Sequence, residues 1–293
     1  LENANHNSRS VLQRTKRPPP GSVMVNGAST AGTRSLSVAG IDLEVWEGGQ
    51  GQPLLLLHPG DGFNPDAPHV AALAARHRVI APSCPGFGRS ALPKWMRTVD
   101  DLSYVYLDLL QALGKEPMPV VGLSFGGWIA AEMAVKCTGR IAGLCLVDTL
   151  GAKFSSDPTV REILDLFSYP QYEQAQWLFE AEDLRKPNYA SLSDEAAVIL
   201  ARNHESFALF GWSPTLHSPR LAHRLHRIDV PVQVLWGSAD RVVTPEYGRK
   251  WQAAIPGATF ELIEGAGHYP QIERPELFAA AVERFTQSLG TRR

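Results

Sequence analysis

The stretch Val120-Val121-Gly122-Leu123-Ser124-Phe125-Gly126-Gly127-Trp128 constrains this chain more than any other. The apolar run Pro119–Leu123 precedes Ser124, and the small-residue run Gly126–Val135 follows it. That order predicts a strand, a sharp turn and a helix. Ser124 stands between Gly122 and Gly126 in the Gly-x-Ser-x-Gly spacing of a nucleophile elbow. Backbone at such a turn is strained, and a side chain at either glycine would collide with neighbouring backbone. The turn lifts the serine hydroxyl clear of the sheet edge and aims it at the first helical turn, whose free N–H groups can stabilise developing negative charge. A Gly/Ser-rich turn with no chemistry also satisfies the bare pattern; the flanking strand and helix favour the nucleophile.

Composition sets the outer limits. A chain of 293 residues that is 44% hydrophobic can bury a full core, as one large α/β domain with an insertion or as two smaller domains. A net charge of −2 argues against nucleic acid or an anionic membrane as partner. No apolar run approaches the roughly 18 residues a bilayer span requires, so a cytoplasmic protein is expected. Cys84, Cys137 and Cys145 have no ligand spacing and are expected as buried thiols in a reducing compartment.

Residues 1–34, rich in Asn, Ser, Thr, Gly and Pro, show no hydrophobic period and are expected to form a mobile tail. The basic residues Arg9, Arg14, Lys16 and Arg17 lead into Pro18–Pro20 rather than an apolar segment, which argues against a secretory signal. Leu36–Ala39 and Ile41–Trp46 then read as a hairpin around Gly40, and Pro53–Leu57 as a buried strand. Alternating units follow. Helices are predicted between Asp66 and Ala75, over Val99–Leu113, near Pro245–Ala254 and over Pro275–Leu289; further strands are predicted at Arg78–Ala81, Ile141–Val147, Val232–Trp236 and Thr259–Ile263. Such alternation implies an α/β fold with a mostly parallel sheet and helices on both faces.

Residues 153–220 break the alternation and carry ten of the 25 aromatic side chains in less than a quarter of the chain. They read as a helical cap inserted after the sixth strand, with 35–152 and 221–293 forming the core. The cap should cover the carboxyl edge of the sheet, where ligands of open α/β sheets bind. Trp177, Trp212, Phe210 and Tyr269 are the candidate pocket residues, although any one aromatic can equally belong to the cap's own core.

A serine hydroxyl needs a base. His268, in Gly265-Ala266-Gly267-His268-Tyr269-Pro270, follows the last strand and lies at the carboxyl edge. His58 also follows a strand, but its expected part is to tie down the loop Pro59–Gly62. His223 and His226 form an i, i+3 pair near His217, without the carboxylates or cysteines of a metal site. The histidine in turn needs an orienting acid. Asp240, in a loop after Val232–Trp236, is preferred; Asp148, at the end of Ile141–Val147, is the rival, otherwise expected to bond the start of the insertion. Ser124, Asp240, His268 is the chain order of one known triad arrangement.

With these residues assembled, the chain resembles the α/β-hydrolase superfamily from about Leu36 onward. The resemblance rests on Leu54-Leu55-Leu56-Leu57-His58, Ala81-Pro82-Ser83-Cys84-Pro85-Gly86-Phe87-Gly88-Arg89-Ser90, the elbow, Trp236-Gly237-x-x-Asp240 and Gly267-His268-x-Pro270-x-x-Glu273-x-Pro275. It implies an oxyanion hole made by the amides of Phe125 and Gly60, or of Asp61 if the loop is shifted by one. Proline at 59 supplies no N–H where relatives carry glycine. Ser83 stands where relatives often have Asp, so altered loop bonding is expected there.

The implied activity is ester hydrolysis on small to medium apolar substrates through an acyl-enzyme, with no cofactor and no metal. Carbon–carbon hydrolysis of ring-cleavage products and cofactor-free perhydrolysis stay open, as does, from a different class, a hydrolase-like small-molecule receptor. The expected partner is a small-molecule substrate; homodimerisation is left open.

Overall fold

The structure, a computed structural model, describes residues 31–290. The expected tail therefore lies outside the described residues, apart from its last few. There the expectation is corrected: the first strand, β1 (Gly32–Val38), already includes Gly32–Arg34. Arg34 is held in it by an ion pair to Glu47 on the neighbouring strand β2 (Ile41–Gly48). Ala39 and Gly40 form the turn between them, at φ +50° and +82°. Two residues in the left-handed region match the twist of a tight hairpin, which removes Ala39 from the strand.

The remaining core elements follow in chain order: β3 (Pro53–Leu57), α1 (Pro68–Ala74), β4 (Arg78–Pro82), α2 (Val99–Leu113), β5 (Met118–Leu123), α3 (Phe125–Ala134) and β6 (Ile141–Val147). An insertion then holds β7 (Gly151–Ala152), α4 (Gln171–Leu178), α5 (Asp194–Gly211) and β8 (His217–Ser218), joined by short 3-10 turns. The core resumes with β9 (Val232–Gly237), α6 (Pro245–Ala254), β10 (Thr259–Ile263), α7 (Pro270–Glu273) and α8 (Pro275–Gly290). The main sheet has eight strands in the order β1-β2-β4-β3-β5-β6-β9-β10. The pairings of β2 with β1 and β4 are antiparallel, and the rest are parallel.

Alternation along the central strands builds two cores. In β3, Leu55 and Leu57 face one side with Val120, Ile129 and the buried faces of α2 and α6; Leu54 and Leu56 face the other with Leu73 of α1 and Phe278 and Val282 of α8. Strands buried on both faces read as unbroken apolar runs, which is why Pro53–Leu57 and Pro119–Leu123 were legible. Helix α2 begins with a reciprocal capping box, in which the Thr98 hydroxyl accepts from Asp101 N–H and the Asp101 carboxylate accepts from Thr98 N–H. That fixes the start of the helix at Val99.

The insertion departs from a purely helical reading at both ends. β7 pairs in parallel with β8, closing the insertion with a small two-stranded clasp. Helix α5 carries a buried stripe, Asn203, Ser206, Phe207, Phe210 and Gly211, at helical spacing. That stripe faces the core loops. Asn203 Nδ2 donates to Asp61 O at 2.8 Å and its Oδ1 accepts from Gly88 N–H at 2.8 Å. Ser206 Oγ and Arg202 Nε both donate to Gly86 O, at 2.8 and 2.9 Å.

Cys84 and Cys145 are buried as expected, but Cys137 is exposed. It lies past the last turn of α3, in the connection to β6 at the far end of the sheet, where no element covers it.

Candidate active site

Ser124 joins β5 to α3 at φ +51°, ψ −109°, a left-handed position that a non-glycine residue adopts only under constraint. The constraint is visible at the two glycines. A Cβ on Gly122 would stand 2.6 Å from Gly127 Cα, and one on Gly126 would stand 2.3 Å from Leu57 O. Strand and helix therefore approach as closely as backbone allows, and the serine is pushed out at the top of the sheet. Its N–H donates to Val147 O at 2.8 Å, anchoring the turn to β6.

From there a continuous chain of hydrogen bonds runs inward. Ser124 Oγ lies 2.8 Å from His268 Nε2, and His268 Nδ1 lies 2.8 Å from Asp240 Oδ2. The other oxygen of Asp240 accepts from Val242 N–H at 2.7 Å and Val243 N–H at 3.1 Å. With Asp240 an acceptor throughout, His268 carries its proton on Nδ1 and presents a bare Nε2 to the serine hydroxyl. All three residues are almost fully buried, with exposures of 3% for Ser124, 1% for His268 and 3% for Asp240. Burial keeps competing water out and strengthens each of these bonds.

The loop holding His268 is itself fastened. Its N–H donates to Leu178 O at 2.8 Å, and Glu273 accepts from Gly267 N–H at 2.6 Å. Glu273 also accepts from Glu180 N–H at 2.9 Å and Ala181 N–H at 2.7 Å, so one carboxylate joins the histidine loop to the insertion. This gives Glu273 of the Gly-His-x-Pro-x-x-Glu sequence a concrete job.

Pro59–Gly62 forms a turn closed by Gly62 N–H to Pro59 O at 3.1 Å. The amides of Gly60 and Asp61 at its centre, and that of Phe125 at the first position of α3, have no acceptor among the described residues. The Asp61 side chain lies 3.8 Å from His204 of the insertion and lines the cavity it shares with Tyr269. His58 locks this loop from below. Its Nδ1 donates to Pro59 O at 2.7 Å, and its Nε2 accepts from Cys84 N–H at 2.9 Å. Burial, the dominant cause, lowers the pKa of His58 from 6.5 to about 4, so the ring is neutral as those two bonds require. Nearby, Ser83 Oγ donates to Glu44 Oε2 at 3.1 Å.

The four expected pocket residues separate. Tyr269 is buried, its ring tilted 5.3 Å from that of His268 and edge-on to Phe179 at 5.6 Å, and lines a cavity of about 220 Å³ with His58, Pro59 and Leu123. Phe210 packs 6.5 Å from Phe125 and lines a groove of about 640 Å³ with Trp128 and Arg224. Trp177 is half-buried against Tyr169, in the insertion's own packing. Trp212 is corrected: it is 62% exposed and rests on Phe167.

The aromatic residue that does cover the site was not singled out. Phe207 of α5 packs 5.4 Å from the Phe125 ring, and its ring atoms would be 2.9 Å from a Cβ at Gly60. It therefore packs over Gly60 and against the Phe125 ring. The helical period of Asn203, Phe207 and Phe210 is the signal that points to it, whereas residue size pointed to Trp212.

Asp148 is also corrected. It does not bond the start of the insertion; its Oδ1 accepts from Gly237 N–H at 2.9 Å, tying the end of β6 to the end of β9.

Comparison with known proteins agrees with this architecture. A 2-hydroxy-6-oxononadienedioate/2-hydroxy-6-oxononatrienedioate hydrolase of Paraburkholderia phymatum is 30% identical, over 78% of this chain and 84% of its own. Lipase 3 of a Moraxella species is 28% identical, over 82% of this chain and 80% of its own. Among solved structures, a thermophilic esterase from Thermogutta terrifontis superposes with a TM-score of 0.71 at 25% identity, covering 88% of this chain and 99% of that one. No helix among the described residues is long and apolar enough to cross a membrane. Residues 54–281 match the sequence profile of the alpha/beta hydrolase family, and the chain belongs to that family.

Proposed function

We propose that the protein is a serine hydrolase that cleaves carboxylic esters of small to medium apolar substrates through an acyl-enzyme. The observation that carries this is the buried run Ser124 Oγ, His268 Nε2, His268 Nδ1, Asp240 Oδ2, with both links at 2.8 Å. His268 takes the Ser124 proton as Oγ attacks the acyl carbonyl. The amides of Phe125 and Gly60 hold the oxyanion, and Asp240 stabilises the imidazolium. His268 then protonates the leaving alcohol, and water, activated by the same imidazole, releases the acid.

The rings gathered beside the Ser124 turn, Phe207 and Phe210 against Phe125, support an apolar substrate. A second reading, hydrolysis of a carbon–carbon bond in a ring-cleavage product, draws support from the similarity to the dienedioate hydrolase. A fluorophosphonate probe and p-nitrophenyl esters of graded length test the first. The wild type should be labelled and turn over esters, and Ser124→Ala should do neither while keeping its circular dichroism spectrum. Ester turnover by Ser124→Ala within a few-fold of wild type refutes the assignment; labelling without ester turnover, coupled to cleavage of a vinylogous 1,5-diketone, selects the second reading.

A further inference from the structure

A second buried carboxyl group stands beside the Ser124, His268, Asp240 run, and the mechanism above gives it no part. Asp148 is 0% exposed and held at φ +42°, a conformation that costs energy for any residue but glycine. Two bonds from the end of β9 hold it there: its N–H donates to Leu235 O at 3.1 Å, and its Oδ1 accepts from Gly237 N–H at 2.9 Å. Oδ2 is buried with no N–H to hold it. One carboxyl oxygen of Asp148, one of Asp240 and one ring nitrogen of His268 lie within 4.8 Å of one another.

Two carboxylates this close and this dry cannot both be ionised, because each loses hydration and each repels the other. Counting donors decides which one keeps the proton. Asp240 accepts from three N–H groups, of Val242, Val243 and His268; Asp148 accepts from one, of Gly237. Each N–H bond stabilises the anionic form, so Asp240 is the anion and Asp148 the acid. Burial first, and then the Asp240 charge, hold the Asp148 carboxyl well above the usual carboxylate range. The Glu273 carboxylate adds to this in the same direction. The Tyr269 phenol is kept neutral by its own burial first, and then by the Asp61 and Asp240 carboxylates.

We propose that Asp148 is a positioning residue held in its protonated form, whose carboxyl O–H is donated to the Asp240 carboxylate and extends the run from three groups to four. The proposal rests on the triad reading above. Its consequence is electrostatic. A neutral donor on the far side of Asp240 draws negative charge away from His268 and fixes the carboxylate plane, so the imidazolium is stabilised by an anion of set orientation and moderated strength.

The test compares Asp148→Asn with Asp148→Ala in the whole enzyme. Asparagine keeps a neutral donor toward Asp240 and an acceptor for Gly237 N–H. Its kcat/KM should stay within about threefold of wild type, and the acidic limb of its pH profile should not move. Alanine removes the donor, and the acidic limb should move up by roughly one pH unit. If Asp148 is instead ionised, Asp148→Asn deletes a negative charge beside the imidazole, and the acidic limb should drop by about one unit or more; that result overturns the proposal.

Infrared spectroscopy supplies a readout that needs neither activity nor a folded alanine variant. Wild type at pH 8 should show the C=O band of a protonated carboxyl group, lost in Asp148→Asn, and absence of that band in the wild type also overturns the proposal. Failure of the triad reading is a separate outcome: Ser124→Ala would remain active whatever the band shows.

Discussion

His58 should make the folded state sensitive to mild acid, and the size of the effect follows from its two hydrogen bonds. The folded protein needs a neutral imidazole, since Nδ1 donates to Pro59 O while Nε2 accepts from Cys84 N–H. Burial lowers its pKa from 6.5 to about 4. As pH falls below 6.5 the unfolded chain takes up a proton that the folded chain refuses, so stability is complete above that value and is lost toward pH 4. At pH 5 the unfolded imidazole is nearly all charged and the folded one nearly all neutral. That gap, about 1.5 pH units, corresponds to about 2 kcal/mol. Glutamine at position 58 has an acceptor for Cys84 N–H and a donor for Pro59 O, but it does not titrate. Urea unfolding of wild type and His58→Gln at pH 7 and pH 5 isolates the effect, because His69 and every carboxylate are common to both. Wild type should lose about 2 kcal/mol more than the variant over this interval. Equal losses would refute the reasoning, whatever the stability of the variant at pH 7.

Three further outcomes are expected. Asp240→Asn should lower kcat by about three to four orders of magnitude with little change in KM, because asparagine favours the wrong imidazole tautomer; stopped-flow ester hydrolysis reads both. Phe207→Ala should cost about 3 kcal/mol of stability and alter acyl-length preference, whereas Trp212→Ala should do neither beyond about 0.5 kcal/mol, as denaturant melts and an ester series can show. Glu273→Gln replaces an acceptor of three N–H groups by an amide that cannot receive them all, so it should lower stability by about 1–3 kcal/mol and kcat with it. Unchanged turnover in that variant would mean that His268 keeps its place without this anchor.

The elbow, the histidine loop and the acid loop were legible because close backbone approach and carboxyl-edge placement restrict residue type. At Gly122 and Gly126 a Cβ has no room, so the spacing is readable as geometry. The insertion was less legible, because large aromatics can serve either a roof or a local core. Trp212 has the size but lies beyond the buried stripe of α5, while Phe207 has the right phase. Asp148 was weighed as a substitute for Asp240 or as a bond to the start of the insertion, and not as its neighbour in the site. A sequence shows that two acids end neighbouring loops, but not which one collects the N–H groups, and that count decides their charge. Exposure of Cys137 was missed for a similar reason: an apolar run up to Val135 does not mark where the sheet stops covering the chain.

The clasp of β7 with β8 bears on how such a chain can acquire new specificity. β6 and β9 are neighbours in the sheet, and everything between Gly151 and Ser218 leaves and returns through that one short ladder. The intervening segment is thus a replaceable module whose two ends are already spliced side by side, and its length is free of the strand order beneath it. What a graft must preserve includes the side chains at Arg202, Asn203 and Ser206 that grip Gly86, Gly88 and Asp61, the amides at Glu180 and Ala181 that meet Glu273, and the Leu178 carbonyl that receives His268 N–H. A transplanted segment meeting those contacts would inherit the chemistry of the sheet edge and bring its own choice of substrate.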